Sequence, residues 1–190
     1  MNFLANLTHK IAISICMLGS IGLQSAENFR ISGSSEWPTY RGNTSGTGYS
    51  PLEQITVDNV NKLEIAWNYS LRNDSSRSAR EPNSQATPIV IDGVMFLPTV
   101  DRVVALDPLT GEELWSHSVP GNAPSRRGVT YWPGEGGISP RIFYTAFDQL
   151  IALNAETGDL DLEFGESGKV SMGIPYISVP FVYKNIIVVG

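Results

Sequence analysis

One repeated block constrains the fold of this chain more than any other feature. Residues 101–111, DRVVALDPLTG, return as residues 148–158, DQLIALNAETG, at a constant offset of 47 residues (148 − 101). Each block reads as a short apolar strand followed by a Thr-Gly turn, where glycine supplies the positive φ that a tight turn needs. Two tryptophans show nearly the same spacing, because Trp67 precedes Trp115 by 48 residues (115 − 67). A repeat of this length, built from short strands, predicts a β-propeller.

Residues 86–118 show what one repeat contains. ATPIVID, VMFLPTV and VVALD read as three apolar strands, with a tight turn at Asp92-Gly93 between the first two. A Thr-Gly turn and a fourth strand with Trp115 complete the unit. The sequence therefore predicts an all-β fold made of four-stranded antiparallel sheets.

A third unit begins near the end of the chain. The first-strand pattern PIVIDG, residues 88–93, returns as PFVYKN, residues 180–185. We therefore expect two complete sheets and the first strands of another, which is part of a larger propeller. A stacked β-sandwich is the alternative, but it does not explain the constant spacing of the repeat.

Composition and charge exclude several classes of function. The chain has 190 residues and a formal net charge of −6, and its 13 Lys and Arg residues are not clustered. Nucleic acid is therefore an unfavourable partner. The chain contains no CxxC, HExxH, GxSxG or P-loop pattern, which disfavours zinc hydrolysis, serine hydrolysis and phosphate binding through these motifs.

The amino terminus resembles an export signal. Within residues 1–26 the charged Lys10 precedes the apolar run IAISICMLGSIGL, and small and polar residues follow it. The run is shorter than the roughly 20 residues that span a bilayer. We therefore predict a signal peptide over residues 1–26, a periplasmic location and no transmembrane domain in the mature chain, with a retained anchor as the alternative. An amino-terminal segment at 27–85 and incomplete propeller sheets at 86–190 follow.

Three blocks resemble one enzyme family. The motif from Ala105 to Trp115, ALDPLTGEELW, is similar to the tryptophan-docking motif of the quinoprotein dehydrogenases that depend on pyrroloquinoline quinone (PQQ). Residues 37–67 resemble that family's amino-terminal segment, and RGVTYWPGEG at 127–136 resembles a further block. In the second copy of the motif Leu162 replaces the tryptophan, so we expect weaker docking there.

The resemblance implies an eight-bladed propeller and an oxidoreductase that acts on CH–OH groups. In this family PQQ takes a hydride from the substrate, an aspartate removes the hydroxyl proton, Ca²⁺ polarises the quinone, and a quinone or cytochrome accepts the electrons. The Ca²⁺ ligands and the catalytic base are expected after residue 190, so no catalytic residue and no metal ligand is assigned here. This fragment alone is expected to be inactive.

Three residues are predicted to contact PQQ. Arg127 lies where the family places an arginine that pairs with the cofactor, and a guanidinium can hold a carboxylate through two parallel hydrogen bonds. Gln85 lies where many members have glutamate, and its amide can donate to a carboxylate. Ser178 matches a Ser/Thr position that hydrogen-bonds the cofactor, with Ile177 as the alternative by one residue of register.

The blocks also favour one branch of the family. DLEFGESGKV, residues 161–170, resembles an insertion of the glucose and quinate dehydrogenases, and the Cys-Cys pair of the alcohol dehydrogenases is absent before Arg127. A sugar or polyol substrate is therefore favoured. The alternatives are an alcohol dehydrogenase and a non-enzymatic propeller that acts as a periplasmic assembly scaffold.

The other aromatic residues are expected to be structural. Trp67 and Trp115 are predicted to dock between sheets. For Trp132 we favour packing over a place at the pocket mouth, and for His117 we expect a surface position and no catalytic role.

Overall fold

The computed structural model describes residues 36–72 and 85–190, so the predicted signal peptide at 1–26 lies outside the described residues. The first sheet contains β1 (Ile89–Ile91), β2 (Val94–Pro98), β3 (Arg102–Leu106) and β4 (Glu113–Ser118) in sequential order. The second contains β5 (Thr130–Trp132), β6 (Arg141–Ala146), β7 (Gln149–Asn154) and β8 (Lys169–Ser171). A third hairpin pairs β9 (Phe181–Tyr183) with β10 (Ile186–Val188), and a 3-10 turn covers Val60–Lys62.

The first sheet confirms the strand predictions from the sequence. All its neighbouring strands are antiparallel, and the β1–β2 turn consists of Asp92 and Gly93 with φ values of 51° and 77°. Two consecutive positive φ values are those of a type I′ turn, whose twist matches that of the flanking strands. Asp-Gly is therefore sufficient to predict this hairpin.

The repeat holds in the middle of the sheets and changes at their ends. Phe96 pairs with Ala105 in the first sheet, and Phe143 pairs with Ala152 in the second, each 47 residues later. β5, however, begins 41 residues after β1 (130 − 89), because residues 133–140 replace the two-residue turn. Hairpin loops at a sheet's end lie on the surface and tolerate such insertions.

The fourth strand of the second sheet also departs from the simple repeat. Leu160 pairs with Leu153 as Glu113 pairs with Leu106 in the first sheet. Residues 161–168 then leave the sheet, and β8 begins only at Lys169. Leu162 lies in this insertion and is 68% exposed. In the second sheet, the position equivalent to Trp115 is therefore near Gly168, whose carbonyl accepts the Ala152 N–H at 3.1 Å. The sequence comparison had placed this position at Leu162.

The sheets pack face to face and bury both sides of the second sheet. Ile142 and Tyr144 of β6 belong to the apolar cluster shared with the first sheet. Phe143, between them, belongs to a second cluster that includes Val182 and Ile187 of the third hairpin. Successive side chains of a strand point to opposite faces, so a strand covered on both faces reads as one continuous apolar run.

Tryptophans dock from one sheet onto the turn of the next, as the sequence predicts. The Trp67 indole N–H donates to the Pro108 carbonyl at 3.1 Å, and the Trp115 indole N–H donates to the Ala155 carbonyl at 3.0 Å. The glycine of each Thr-Gly turn lies under the ring: a Cβ on Gly111 or Gly158 would come within 2.6 Å of the indole. The repeated Thr-Gly motif therefore makes both a turn and a flat seat for an indole.

Trp132 is also a packing residue, which confirms the favoured alternative. It is 9% exposed, and its indole N–H donates to the Lys184 carbonyl of the third hairpin at 2.8 Å.

His117 has a position that the sequence did not predict. Instead of lying at the surface, it is half-buried in the interface between the first two sheets, with Nδ1 2.9 Å from the Gly158 carbonyl. Burial lowers the pKa of this imidazole. His117 is not among the residues that line the cavity described below.

Candidate cofactor-binding site

β1, β5 and β9 are the first strands of their sheets, and we call them the innermost strands. Three short segments lead into them, which we call the strand-start segments: residues 85–88 before β1, 126–129 before β5 and 177–180 before β9. The Thr87 N–H donates to the Arg127 carbonyl at 3.3 Å, which joins the first segment to the second. Because consecutive sheets pack face to face, their strand-start segments lie side by side and border one cavity.

Hydroxyl groups of the second sheet and its flanks hold the third strand-start segment. Ser125 Oγ donates to the Ile177 carbonyl at 2.6 Å, Thr145 Oγ1 to the Ser178 carbonyl at 3.3 Å, and Thr130 Oγ1 to the Pro180 carbonyl at 2.5 Å. Thr145 is completely buried. Three hydrogen bonds to backbone carbonyls of residues 177–180 therefore fix the position of Ser178.

Glycine at position 128 allows the segments to approach closely. Its φ is 149°, and a Cβ there would lie 3.1 Å from Val179 Cγ2 and 3.4 Å from the Thr87 carbonyl oxygen. A Cβ at this position would crowd the Val179 side chain, whereas its approach to the Thr87 carbonyl would be an ordinary van der Waals contact. The Arg-Gly pair thus places a long cation next to the point of closest approach.

The three predicted cofactor-binding residues line one cavity. Gln85, Arg127 and Ser178 all border a pocket of about 820 Å³. Arg127 and Ser178 occupy equivalent positions, each three residues before the first residue of an innermost strand, and Gln85 lies four residues before β1. The structure therefore brings together residues that are separated by up to 93 positions (178 − 85) in the sequence. Their contact with a cofactor stays a prediction.

The polar groups of these residues are available for a ligand. Within residues 36–72 and 85–190, the Arg127 guanidinium forms no ion pair, and neither the Gln85 amide nor the Ser178 hydroxyl has a hydrogen-bond partner. Arg127 and Gln85 are exposed, and Ser178 is half-buried. A cation, an amide and a hydroxyl are donors that suit an anionic ligand.

Two of the predicted residues border the cavity while a sequence neighbour of each does not. Ser178 borders the cavity, whereas Ile177 does not and is 65% exposed. Arg126 also lies outside the lining. Arg126 and Arg127 form a turn, so the difference between them does not come from the alternation of an extended strand.

Sequence reasoning missed the rest of the cavity wall. Aromatic and apolar side chains of the second sheet and the third hairpin contribute, and so does a stretch of the amino-terminal segment that was noted only for its family resemblance. These further lining residues are Pro38, Thr39, Tyr40, Gly42, Asn43, Thr44, Val129, Thr130, Tyr131, Val179, Pro180, Phe181 and Val182. Phe181 directly follows its strand-start segment and Tyr131 lies two residues after its own, and the repeat could have identified them.

The described residues do not assemble a metal site. No group of three or more His, Cys, Asp or Glu side chains converges within residues 36–72 and 85–190. No step is therefore assigned to a metal in this part of the chain. In the same part of the chain no helix is long and apolar enough to cross a bilayer.

Comparison with known proteins identifies the family. The sequence profile described as "PQQ: Glucose/ethanol/alcohol dehydrogenase, beta-propeller domain" matches residues 37–190. The chain belongs to this family of PQQ dehydrogenase propellers. The recognition made from the sequence is confirmed, as is the fold class, because all-β four-stranded sheets and propeller relatives agree.

Relatives of known activity include both alcohol and sugar enzymes. The chain is 39% identical over 136 residues to the alcohol dehydrogenase (quinone) dehydrogenase subunit of Gluconobacter oxydans, covering 66% of this chain and 16% of that protein. It is 32% identical over 165 residues to quinoprotein glucose dehydrogenase A of Acinetobacter calcoaceticus, covering 73% and 20%. This chain therefore spans about a fifth or less of the length of these two relatives.

A solved structure supports the same architecture. The quinohemoprotein alcohol dehydrogenase of Comamonas testosteroni superposes with a TM-score of 0.61 at 28% identity, covering 84% of this chain and 24% of that one. The comparisons support the dehydrogenase family, and they do not support the preference for the sugar branch. Alcohol dehydrogenases match at least as well as the glucose enzyme.

Proposed function

We propose that this chain forms one side of the PQQ site of a dehydrogenase that oxidises alcohols or sugars. The observation that carries the proposal is the convergence of Gln85, Arg127 and Ser178 on one cavity, in a chain whose residues 37–190 match the PQQ dehydrogenase propeller.

The cavity fits the chemistry of PQQ. The cofactor is planar and carries three carboxylates and an ortho-quinone, so it needs cationic and hydrogen-bonding donors beside apolar surface. Arg127, Gln85 and Ser178 supply donors with no partner among the described residues, and Tyr131 and Phe181 supply aromatic surface.

The chain's own residues would bind and orient the cofactor. Bound PQQ would supply the acceptor for a hydride from the carbon that carries the substrate's hydroxyl group. Arg127 would hold a carboxylate or quinone oxygen through two hydrogen bonds, which also fixes the orientation of the ring plane. Gln85 and Ser178 would donate to further oxygens without adding charge. Residues that move the proton of the substrate are not assigned to this part of the protein.

Two observations point to different substrates. The FGESGKV insertion supports a sugar or polyol, which was the first preference, whereas the 39% identity to the Gluconobacter oxydans alcohol dehydrogenase subunit supports a simple alcohol. Values of kcat/KM for glucose, quinate, ethanol and 1-butanol, measured on the full-length protein loaded with PQQ, would decide between them. Relatives include a 1-butanol dehydrogenase (cytochrome c) of Thauera butanivorans and the alcohol dehydrogenase (quinone) subunit of Gluconobacter oxydans. A cytochrome or a quinone is therefore proposed as the electron acceptor.

Export of the protein is proposed from the apolar run that follows Lys10.

The binding proposal has a direct test with a matched control. Arg127→Ala in the full-length protein is expected to weaken PQQ binding by about 30-fold or more, which corresponds to about 2 kcal/mol for a charge-assisted bidentate contact. Arg126→Ala removes the same charge from the adjacent residue outside the cavity and is expected to change the Kd less than threefold.

The outcome of the titration distinguishes an enzyme from a scaffold. Equal binding by the two variants and the wild type would remove Arg127 from the site. No PQQ binding and no dye reduction by the wild type with any of the four substrates would contradict the proposed function and favour the non-enzymatic scaffold.

A further inference from the structure

Part of the amino-terminal segment lies along the inner edge of the first sheet, and we call residues 37–48 the inner loop. The Trp37 N–H donates to the Val90 carbonyl at 2.8 Å, and the Val90 N–H donates to the Trp37 carbonyl at 2.9 Å. Both groups of Val90 point away from β2, because the N–H and C=O of one strand residue point to the same side. The inner loop therefore covers the edge of β1 that no other described strand pairs with.

Contacts within the inner loop give it a defined shape. Gly42 lies against the Trp37 indole, where a Cβ would come within 3.0–3.2 Å of three ring carbons. The Gly48 N–H donates to the Arg41 carbonyl at 2.9 Å, and Asn43 Nδ2 donates to Thr47 Oγ1 at 2.6 Å. The loop is thus closed at its base and packed on its own tryptophan.

The same loop forms a wall of the candidate cofactor cavity. Six of its residues border the pocket that Arg127, Gln85 and Ser178 also border: Pro38, Thr39, Tyr40, Gly42, Asn43 and Thr44. The position of this wall depends on the Trp37–Val90 pairing, since those two hydrogen bonds are the ones that attach the loop to β1.

We propose that the inner loop is a plug that retains the cofactor: it closes the side of the cavity that residues 38–44 border, keeps water from that side and slows the release of PQQ. This role rests on the proposed function. The charged donor of the cavity, Arg127, lies with Ser178 on the strand-start segments and not on the loop. A ligand held there by hydrogen bonds leaves more slowly when its other sides are covered.

Two glycines of the loop provide a matched test in the full-length protein. Gly42 and Gly46 both have positive φ, 85° and 64°, but a Cβ on Gly46 has no atom within 4 Å, whereas one on Gly42 meets Trp37. Both alanine variants carry the same kind of backbone strain. Only Gly42→Ala is expected to displace the loop from Trp37.

Two measurements follow the loop and the cofactor separately. Hydrogen exchange of the apoprotein reports on the loop, because the Val90 amide is protected by the Trp37 carbonyl. Stopped-flow release of PQQ into excess apo-enzyme trap reports on retention. Gly42→Ala is expected to speed both exchange at Val90 and PQQ release at least fivefold, and Gly46→Ala is expected to change neither by more than twofold. If Gly42→Ala does not fold, Trp37→Leu replaces it in the test, because this substitution removes the ring that Gly42 packs on. Trp37→Leu is expected to speed both exchange at Val90 and PQQ release at least fivefold.

The possible results are distinguishable. Faster exchange with an unchanged PQQ release rate would overturn the plug and leave the proposed function intact. Equal effects of Gly42→Ala and Gly46→Ala would also overturn it, because the Trp37 contact would then be irrelevant. A wild-type protein that binds no PQQ would remove both the proposed function and the plug.

Discussion

At the scale of single residues, the candidate site depends on position within the repeat. Arg127 and Ser178 stand at equivalent places before β5 and β9, and both border the cavity. Their neighbours Arg126 and Ile177 do not. A one-residue change of register would therefore exchange a cation for another cation at one position and a hydroxyl for an apolar side chain at the other.

The pair Ser178 and Ile177 gives a prediction about the hydroxyl. Ser178→Ala is expected to weaken PQQ binding by roughly fivefold, since a neutral hydrogen bond contributes about 1 kcal/mol. The backbone contact between the Ser178 carbonyl and Thr145 remains in this variant. Ile177→Ala, at the exposed neighbour, is expected to leave the Kd unchanged. A larger effect of Ile177→Ala in isothermal titration would assign the site to the alternative register.

At the scale of elements, the contact between an indole and a Thr-Gly turn joins consecutive sheets. Gly158→Ala and Gly93→Ala make a matched pair, because both glycines have φ near 75°, at 75° and 77°. A Cβ on Gly93 meets no atom within 4 Å, whereas one on Gly158 would lie 2.6 Å from the Trp115 ring. We expect Gly93→Ala to lower the free energy of unfolding by about 1–2 kcal/mol through the backbone alone.

For Gly158→Ala the expected loss is about 2–5 kcal/mol, because overpacking against the indole adds to the same backbone cost. Denaturant unfolding of the full-length variants, followed by tryptophan fluorescence, measures both values. Equal losses would show that the docking of Trp115 contributes nothing beyond the shape of the turn.

The insertion at 161–168 is fixed to the second sheet by an ion pair. Arg141 Nε donates to Asp161 Oδ2 at 2.5 Å, and the two side chains are only 11% and 15% exposed. The Arg141 guanidinium also lies 5.5 Å from the Trp132 ring and 5.9 Å from the Phe164 ring. The hydrogen bond from Arg141 lowers the pKa of Asp161 below its ordinary value.

This pKa shift predicts a pH dependence of stability. A carboxyl group whose pKa is lower in the folded than in the unfolded protein stabilises the fold while it is ionised. This contribution is complete at pH values above the unfolded-state pKa of about 4 and is lost as the pH falls through the folded-state pKa. Asp161→Asn is expected to cost about 1–3 kcal/mol at pH 7 and to show a smaller decline of unfolding free energy between pH 5 and pH 2. Parallel pH profiles for the two proteins would show that the pair makes no net contribution.

The sequence predicts the elements well where local chemistry decides them and less well where insertions do. Asp92-Gly93 specifies its turn, and the Thr-Gly turns with Trp67 and Trp115 specify the docking. The loop at 133–140 and the insertion at 161–168 change the offset without changing strand pairing, so the alignment of Leu162 with Trp115 was wrong.

The walls of the cavity mark a second limit of prediction from sequence. Arg127, Gln85 and Ser178 could be identified from the family blocks, but the pairing of Trp37 with Val90 could not. One isolated bridge across 53 positions (90 − 37) leaves no periodic signal in the sequence, because periodicity reports only which face of an element is buried. His117 was misplaced for a similar reason, since its partner Gly158 belongs to the following sheet.

At the scale of the whole molecule, these sheets are a segment of a larger family architecture. The chain covers 24% of the Comamonas testosteroni enzyme on which it superposes. Residues of all three strand-start segments border the same cavity, so consecutive sheets contribute polar side chains to one site. The inner loop pairs with β1 through Trp37 and borders the same cavity through residues 38–44.

A structure of the full-length protein with PQQ bound would locate the cofactor directly. We expect PQQ to lie in the cavity bordered by the strand-start segments, with an oxygen of the cofactor within 3.2 Å of the Arg127 guanidinium and with Gln85 and Ser178 in contact. PQQ bound elsewhere, with Arg127 turned to solvent, would show that these residues do not form the cofactor site.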